Sequence, residues 1–289
     1  MGEPRLRTVD AFTDRPFTGN PAAVVLLDEA APDEWMAAVA REMNVSDTAF
    51  VIRETSSNAD FRLRWFTPKS EADLCGHATL ASAHCLFEDG MPGPIRFATR
   101  SGVLTVSRRS DGSLAMDFPA WPPIEIDARN AAAEALGAPV QWTGRAAFFL
   151  LALLADERSV RGLRPDLSAV ARLDEPSVIV TAAADPGQDH DFVSRVFAPR
   201  EGIPEDPVTG SSHTVLAPYW AERFGRTALV GLQASSRSGV VRVELHGDRV
   251  TITGRAVTII DGVLRRAAQA TARAPSTALP PTGPVLLAP

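Results

Sequence analysis

Three short segments of this sequence bring together side chains that can donate or accept protons. They are Ser46-Asp47-Thr48, Cys75-Gly76-His77, and the run Glu-Asp-Pro-Val-Thr-Gly-Ser-Ser-His from Glu205 to His213. Carboxylate and imidazole groups serve as general acids and bases, and histidine exchanges its proton near neutral pH. Each segment also has a structural interpretation, because aspartate forms turns and Ser, Thr and acidic residues cap helices. The segments indicate acid–base chemistry if the fold brings them together.

Other kinds of site lack their sequence signatures. The chain has no G-x-G-x-x-G, P-loop, H-E-x-x-H or G-x-S-x-G motif. Cys75 and Cys85 do not form a Cys-x-x-Cys pair, so structural zinc is not expected; free thiols are the simpler interpretation, and a disulfide stays open. Lys69 is the single lysine and the one candidate for Schiff-base chemistry, but a lysine in a polar loop is usually solvated. Neither a cofactor nor a metal site is predicted.

Alternating and helical patterns place these segments at the ends of regular elements. Strands are predicted at residues 8–12, 22–27, 48–52 and 61–65, and helices at residues 32–42 and 77–87. Asp47 therefore immediately precedes a strand. Cys75-Gly76-His77 begins a largely apolar helix.

Parts of the first half of the chain recur in the second half. Arg100-Ser101-Gly102-Val103 returns as Arg237-Ser238-Gly239-Val240, and each copy opens a pair of alternating strands. Phe66-Thr67-Pro68 returns as Phe197-Ala198-Pro199, and each copy is followed by acidic residues, a glycine and an apolar helix. These two matches, together with the two apolar helices that start near Gly76 and Gly210, occur in the same order and indicate two homologous halves. The alternative is chance, since Phe-x-Pro and Ser-Gly are common loop fragments.

Two equivalent lobes give a physical reason for a site at their junction, because clefts between domains are favoured ligand sites. The two apolar helices are expected to start near Gly76 and Gly210. The first N–H groups of a helix have no partner within it and lie at its positive end. Two such ends facing one cleft would bind a carboxylate or stabilise an enolate-like anion.

The repeat also sets the predicted domain boundaries. Residues 1–122 are expected to form an N-terminal lobe and residues 123–266 a C-terminal lobe, followed by an irregular, Ala/Pro-rich tail at residues 267–289. The connection between the lobes is expected within residues 120–137, which contain Pro122, Pro123 and a run of alanines.

The bulk composition argues against several kinds of partner. Of 289 residues, 45% are hydrophobic and 22% are charged, which is ordinary for a globular protein. The net charge is −6 and there is no basic stripe, so neither nucleic acid nor an anionic membrane surface is expected as a partner. The longest apolar run, residues 146–155, is too short to span a bilayer. The N-terminus has no signal-peptide pattern, so a cytoplasmic location is expected.

Taken together, the motifs resemble those of the PhzF-like family of phenazine-biosynthesis isomerases. The resemblance covers about residues 6–262 and rests on Val9-Asp10-Ala11-Phe12, Gly19-Asn20-Pro21-Ala22, Ser46-Asp47-Thr48-Ala49-Phe50, Arg64-Trp65-Phe66-Thr67-Pro68, Glu71, Cys75-Gly76-His77-Ala78-Thr79-Leu80-Ala81 and Glu205-Asp206-Pro207-Val208-Thr209-Gly210-Ser211. It implies an α+β, diaminopimelate epimerase-like fold, in which two pseudo-symmetric lobes each wrap a curved, mostly antiparallel sheet around a central helix. It also implies a homodimer that works without a cofactor.

The resemblance implies roles for the segments described above. In the phenazine enzymes of the family, a glutamate in a Ser-Glu-Thr motif moves a proton between two carbons of a dihydro-hydroxyanthranilate. Asp47 occupies that position here and is the expected acid–base residue. The other expected catalytic residues are His77, Asp206 and Ser211, and the residues expected to bind a small carboxylate substrate are Asn20, Ser46, Gly76, Thr209, Gly210 and Ser212.

Two departures from the family pattern limit what the resemblance implies. Asp47 is one methylene shorter than glutamate, about 1.5 Å, and a misplacement of about 1 Å can cost about 100-fold in rate. Either the substrate then sits differently or the reaction differs from that of the phenazine pathway. Gln233-Ala234 replaces the usual Gln-Gly, which puts substrate contacts from that loop in doubt. Related racemases use two cysteines, but Pro207 stands opposite the second one, which argues against a two-thiol racemase.

The sequence therefore favours a cofactor-independent isomerase of secondary metabolism, in which Asp47 alone moves a proton within a small unsaturated carboxylic or amino acid. Asp47 must then be buried enough to raise its pKa toward neutrality, with Asp206 raising it further and His77 opposing. Two alternatives stay open. One is an epimerase, dehydratase or lyase that uses the same site, and the other is a non-catalytic binding or scaffold protein.

Overall fold

A computed structural model of the chain describes residues 3–53 and 58–265. The predicted irregular tail, residues 267–289, lies outside the described residues. In the part of the chain that is described, no helix is long and apolar enough to cross a membrane.

The first half of the chain forms eight strands and two helices. In chain order these are β1 Arg5–Ala11, β2 Asn20–Leu27, α1 Asp33–Met43, β3 Asp47–Arg53, β4 Phe61–Phe66, β5 Glu71–Ala72, α2 Gly76–Glu88, β6 Ile95–Thr99, β7 Gly102–Arg108 and β8 Leu114–Pro119. Every strand and helix predicted for this half is present, with its ends within three residues of the predicted ones.

The second half repeats this order with additional short elements. In chain order they are β9 Ile124–Glu125, α3 Arg129–Leu136, β10 Trp142–Ala146, β11 Phe149–Leu153, α4 Glu157–Gly162, α5 Leu167–Val170, β12 Ser177–Ala183, β13 Phe192–Ala198, β14 Ile203–Asp206, α6 His213–Phe224, β15 Ala228–Gln233, β16 Gly239–His246, β17 Arg249–Gly254 and β18 Ala256–Val263. A single 3-10 turn, Pro199–Glu201, separates β13 from β14.

The strands of the two halves pair in the same pattern. Parallel pairs join β2 to β3 and β4 to β6 in the first half, and β11 to β12 and β13 to β15 in the second. The other pairings are antiparallel, including the pairing of β8 with β17 that joins the two halves. This arrangement is the predicted α+β fold with two equivalent lobes.

One helix lies at the centre of each curved sheet. Helix α2 packs against β1, β2, β3 and β8, and α6 packs against β15, β16 and β17. Almost every residue of α2 is buried, as are residues 213–221 of α6. A helix enclosed on most sides needs no continuous polar face, which explains why both sequences are largely apolar.

The duplication extends to a pair of ion pairs that the sequence analysis did not use. Arg64 on β4 stacks over the Phe66 ring at 5.2 Å and donates to both oxygens of Glu71 at 2.7 and 2.8 Å. Arg195 on β13 stacks over the Phe197 ring at 5.0 Å and donates to both oxygens of Glu205 at 2.7 and 2.9 Å. Each bidentate pair fixes the chain that leads toward the central helix of its lobe.

The arginines of these two ion pairs differ in burial, so removal of their carboxylate partners is expected to lower the free energy of unfolding by different amounts. Glu205→Gln leaves the Arg195 guanidinium without its carboxylate, and this side chain is only 8% exposed. We expect a loss of about 2 kcal/mol in the free energy of unfolding, because an unpaired buried charge is costly. The matched variant Glu71→Gln is expected to lose about 1 kcal/mol or less, since Arg64 is more exposed and also bonds Asp33. Urea unfolding of both variants measures the difference, and equal losses would contradict this interpretation.

Two details of the predicted lobe boundaries differ from the structure. Strand β18 pairs along its whole length with β1, so residues 256–263 belong to the sheet of the N-terminal lobe although they follow the second half in sequence. Residues 129–136, within the predicted connection, form α3 and contribute Ala132, Ala135 and Leu136 to the core of the C-terminal lobe. The alanine run belongs to a packed helix because alanine favours helix and fits closely against neighbouring elements.

Candidate active site

The two lobes touch through two glycines at the starts of their central helices. A Cβ atom placed on Gly76 would lie 3.0 Å from Gly210 Cα, and one placed on Gly210 would lie 3.1 Å from Gly76 Cα. Any side chain at either position would push the two backbones apart. The positions that the repeat aligned are therefore in direct main-chain contact.

The second helix starts later than predicted. α6 begins at His213 rather than near Gly210, because the preceding residues form a tight turn instead of an α-helical one. In this turn the carbonyl of Gly210 accepts a hydrogen bond from His213 N, and that of Ser211 accepts one from Thr214 N, both at 3.1 Å. The turn places Gly210 and Ser211 beside the N-terminus of α2.

A cavity of about 500 Å³ opens between the lobes at this contact. Its polar wall contains seven of the ten predicted site residues, namely Asp47, Gly76, His77, Asp206, Thr209, Gly210 and Ser211. The cavity also has an apolar wall, which includes Leu104, Phe118, Trp121, Phe148 and Phe149. Trp121 and Phe148 meet edge to face at 6.0 Å, and no sequence motif had pointed to either of them.

Asp47 is the most perturbed carboxyl group of the cavity. It begins β3, where pairing with Ala22 of the parallel strand β2 fixes its backbone. Its side chain is buried, Oδ2 accepts a hydrogen bond from Cys75 Sγ at 3.3 Å, and Oδ1 has no partner among the described residues. Burial, together with the negative charge of Asp206, raises the pKa of Asp47 to about 7. The predicted rise toward neutrality is therefore confirmed.

Cys75, not His77, opposes this rise in the pKa of Asp47. The hydrogen bond from Cys75 Sγ favours the carboxylate, whereas burial lowers the pKa of His77 and so keeps its imidazole uncharged. The predicted opposing effect of His77 is wrong for that reason. Burial also raises the pKa of the Cys75 thiol, and the charge of Asp47 adds to this rise. Cys75 and Cys85 are both free, so they form no disulfide.

His77 lies close to both of these groups. Its Nδ1 is 3.4 Å from Cys75 Sγ, and its Nε2 is 3.8 Å from Asp47 Oδ2. Nε2 is buried and makes no hydrogen bond within the described residues. The site thus presents two unsatisfied polar atoms, Asp47 Oδ1 and His77 Nε2, which a bound molecule would satisfy.

Asp206 is held rigidly by neighbouring side chains. Its Oδ1 accepts from Asn20 Nδ2 at 2.7 Å, and its Oδ2 accepts from Thr209 Oγ1 at 2.5 Å. Asn20 also donates to the carbonyl of Val208 at 2.8 Å, and Ser46 Oγ donates to Asn20 Oδ1 at 3.3 Å. These bonds tie the loop of one lobe to the first strands of the other.

Gln233 supports the same loop and is a residue that the sequence analysis did not assign to the site. Its amide nitrogen donates to the carbonyl of Asp206 at 2.7 Å, and its amide oxygen accepts from Thr209 N at 2.8 Å. The departure from Gln-Gly at Gln233-Ala234 had drawn attention to this position, but only as a loss of substrate contacts. The structure gives Gln233 a positioning role that does not depend on the following residue.

Three predicted substrate-binding residues do not line the cavity. Asn20 donates to Asp206, and Ser46 in turn donates to Asn20. Ser212 is fully buried and donates to the carbonyl of Thr209 at 2.8 Å. Within the described residues, all three therefore act on the site through Asp206 and Thr209.

Comparison with known proteins agrees with this fold. A model of the family described as phenazine biosynthesis-like protein matches residues 9–262. An uncharacterized isomerase of Pseudomonas aeruginosa is 48% identical over 259 residues, which is 89% of this chain and 97% of that protein.

Solved structures of similar proteins have the same fold. A phenazine biosynthesis protein of the PhzF family from Enterococcus faecalis superposes with a TM-score of 0.85 at 39% identity, covering 91% of this chain and all of that one. A hydroxyproline epimerase from Agrobacterium vitis shares the fold with a TM-score of 0.63 at 15% identity, covering 90% of each chain. With its motifs, lobes and relatives in agreement, this chain belongs to the phenazine biosynthesis-like (PhzF) family.

Proposed function

We propose that this protein is a cofactor-independent isomerase that moves a proton within a small unsaturated carboxylic or amino acid. The observation that carries the proposal is Asp47, a buried cavity-wall carboxyl group with a pKa of about 7 and one unpartnered oxygen. A base with a pKa near the working pH is ionised in a large part of the molecules and still holds a proton well enough to return it. The family names support an isomerase or epimerase, and the proton shift is our more specific proposal.

In the proposed reaction, Asp47 Oδ1 accepts a proton from one carbon of the substrate. The electron pair left by the C–H bond spreads through the conjugated system toward the substrate carboxylate. The same carboxyl group then returns the proton to a second carbon on the same face. The Cys75 thiol holds Oδ2, so Oδ1 is the oxygen available for both transfers.

The developing negative charge needs stabilisation that Asp47 cannot give. N–H groups in the first turn of α2 have no partner within the helix and lie at its positive end. Ser211 N lies close to Gly76, at the same end of the cavity. These groups from both lobes would bind the substrate carboxylate, while the apolar wall would contact the hydrocarbon part of the molecule.

A deuterium exchange experiment tests this proposal. The protein is incubated in deuterated water with a panel of small unsaturated carboxylic and amino acids, and NMR spectroscopy follows the label. An isomerase gives a product with a moved double bond, whereas an epimerase labels one carbon with inversion and a dehydratase or lyase releases a fragment. Exchange that continues unchanged in the Asp47→Asn variant would contradict the proposed role of Asp47.

The contact between the two glycines gives a further prediction. Gly76→Ala is expected to lower turnover about 10- to 100-fold, because the new methyl group must separate the lobes and displace groups around Asp47. Gly162→Ala is the matched control, since a Cβ atom there meets no atom within 4 Å. Steady-state kinetics and melting temperatures are compared for the two variants. Full activity of a folded Gly76→Ala protein would show that the contact does not set the site geometry.

A homodimer in the cytoplasm completes the proposal. Both features were expected from the sequence, the homodimer through the family resemblance. Light scattering coupled to size-exclusion chromatography measures the mass in solution, and a monomer would remove the dimer from the proposal.

A further inference from the structure

The cavity contains a group of three side chains that the proposed reaction does not use together. Asp47, Cys75 and His77 each place one oxygen, sulfur or nitrogen atom within 4.8 Å of the other two. All three residues are buried, and all three line the cavity. The sequence analysis predicted no metal cluster, because these residues do not have the spacing of a known motif.

The distances in this group are close to those of a tetrahedral zinc site. With Zn–S bonds of about 2.3 Å and Zn–N and Zn–O bonds of about 2.0–2.2 Å, neighbouring ligand atoms lie roughly 3.3–3.6 Å apart. Cys75 Sγ lies 3.3 Å from Asp47 Oδ2, and the two nitrogens of His77 each approach one of these atoms, Nδ1 at 3.4 Å from Cys75 Sγ and Nε2 at 3.8 Å from Asp47 Oδ2. One imidazole nitrogen would bind the ion, and because one ligand atom of each residue lies within 4.8 Å of the other two, side-chain movements of up to about 1 Å would bring the three ligands to one ion.

A second observation points to a ligand at this place. Asp47 Oδ1 and His77 Nε2 are buried polar atoms without hydrogen-bond partners in the described part of the chain. An ion bound by these two side chains would offset the free-energy cost of burying their polar groups. The three side chains face the cavity, so the fourth coordination position would be open to water or to a substrate carboxylate.

The ligand types favour one class of metal. A thiolate and an imidazole together are typical ligands of zinc, whereas magnesium and calcium prefer oxygen alone. Of the two forms of an imidazole, the neutral one coordinates a metal ion. Binding requires the thiol to lose its proton to the solvent, so a Zn–S bond forms as the S–H bond breaks.

We propose that Asp47, Cys75 and His77 form a three-ligand Zn²⁺ site whose occupation blocks the proton-transfer cavity. Zinc binding follows from the geometry of the three ligands alone. Inhibition rests in addition on the proposed function, because it requires Asp47 to be the acid–base group. Zinc and substrate would then exclude each other.

Cobalt titration of the full-length protein tests the binding. Co²⁺ in a tetrahedral site with one thiolate is expected to give intense visible bands and a thiolate-to-cobalt band in the near ultraviolet, both removed by one equivalent of Zn²⁺. Isothermal titration calorimetry in buffers of different ionisation enthalpy is expected to show release of about one proton or more per Zn²⁺. Mg²⁺ is expected neither to bind nor to displace cobalt.

Variants separate this site from adventitious binding. Cys75→Ser and His77→Asn are each expected to weaken Zn²⁺ binding about 100-fold or more, and Cys75→Ser to remove the thiolate-to-cobalt band. Cys85→Ala is the matched control, because Cys85 is a buried cysteine outside the cavity, and it is expected to bind zinc as the unaltered protein does. Circular dichroism establishes that each variant is folded. Equal zinc affinity of folded Cys75→Ser and the unaltered protein would overturn the proposal.

The outcomes for the site and for the reaction are distinguishable. Zinc binding is measured by cobalt absorption spectra and by calorimetry, and neither measurement requires a known substrate. If zinc binds at the three ligands and the rate of proton exchange is undiminished, the proposed inhibition by zinc is wrong. That result would also count against Asp47 as the base. Absence of stoichiometric, Cys75-dependent binding would overturn the zinc site and leave the proposed reaction unaffected.

Discussion

Asp47→Asn is expected to lower the rate of proton exchange at least about 1,000-fold, because general acid–base catalysis by one positioned group typically contributes about 10²–10⁴-fold. The amide keeps the size and the polar character of the side chain but cannot accept a proton. Deuterium incorporation into a substrate found in the acid panel measures the loss.

Two further variants control for position and for general damage. Asp47→Glu restores the glutamate of the phenazine enzymes and moves the carboxyl group by one methylene, so it is expected to lower turnover about 100-fold while leaving a base in place. Asp174→Asn changes an exposed aspartate outside the cavity and is expected to be fully active. Retention of more than a tenth of the activity by Asp47→Asn would show that another group carries the proton.

The second large effect is a stability difference that depends on pH. The pKa of Asp47 is about 7 in the folded protein and near its usual value of 3.8 in the unfolded chain. The folded state therefore holds this proton more tightly, and the stability gained from it is lost as pH rises from about 4 through 7. At pH 8 the buried charge costs up to about 4 kcal/mol, since each unit of pKa difference corresponds to about 1.4 kcal/mol.

Asp47→Asn removes this cost because an amide does not ionise. We expect the variant to gain stability relative to the unaltered protein by about 1–4 kcal/mol between pH 4 and pH 8. Urea unfolding at several pH values measures the gain, and Asp174→Asn should show no comparable trend. A difference that does not change with pH would mean that the pKa of Asp47 is not raised. Together the two predictions mean that Asp47 supports the proposed activity but lowers the free energy of unfolding above about pH 4.

The motifs of the sequence located most of the polar wall of the cavity. The motifs predict Asp47, His77 and Asp206 as site residues. The repeat aligns Gly76 with Gly210, and these two glycines are in main-chain contact. Local patterns succeed here because each residue lies at the start of a strand or helix whose periodicity is clear. The exact start of α6 was missed, since a tight turn and a first helical turn have similar compositions.

Features that depend on distant contacts could not be predicted in the same way. Nothing near Gln233 in the sequence reveals that its amide reaches Asp206 and Thr209, and nothing near Cys75 reveals its bond to Asp47. The return of β18 to the first lobe was also missed. Strand pairing between the two ends of a chain is a tertiary property, and periodicity identifies a strand without identifying its partner.

The course of β18 has a consequence for how a molecule enters the cavity. The chain passes from the first lobe to the second and returns to the first at β18, and β8 pairs with β17 across the junction. The two lobes are therefore connected at several places. A clamshell motion about one flexible hinge would strain the β8–β17 pairing, which crosses the junction. Admission of a ligand is therefore expected to involve rotation of side chains at the mouth, such as the partly exposed Phe148, while the two halves stay in register.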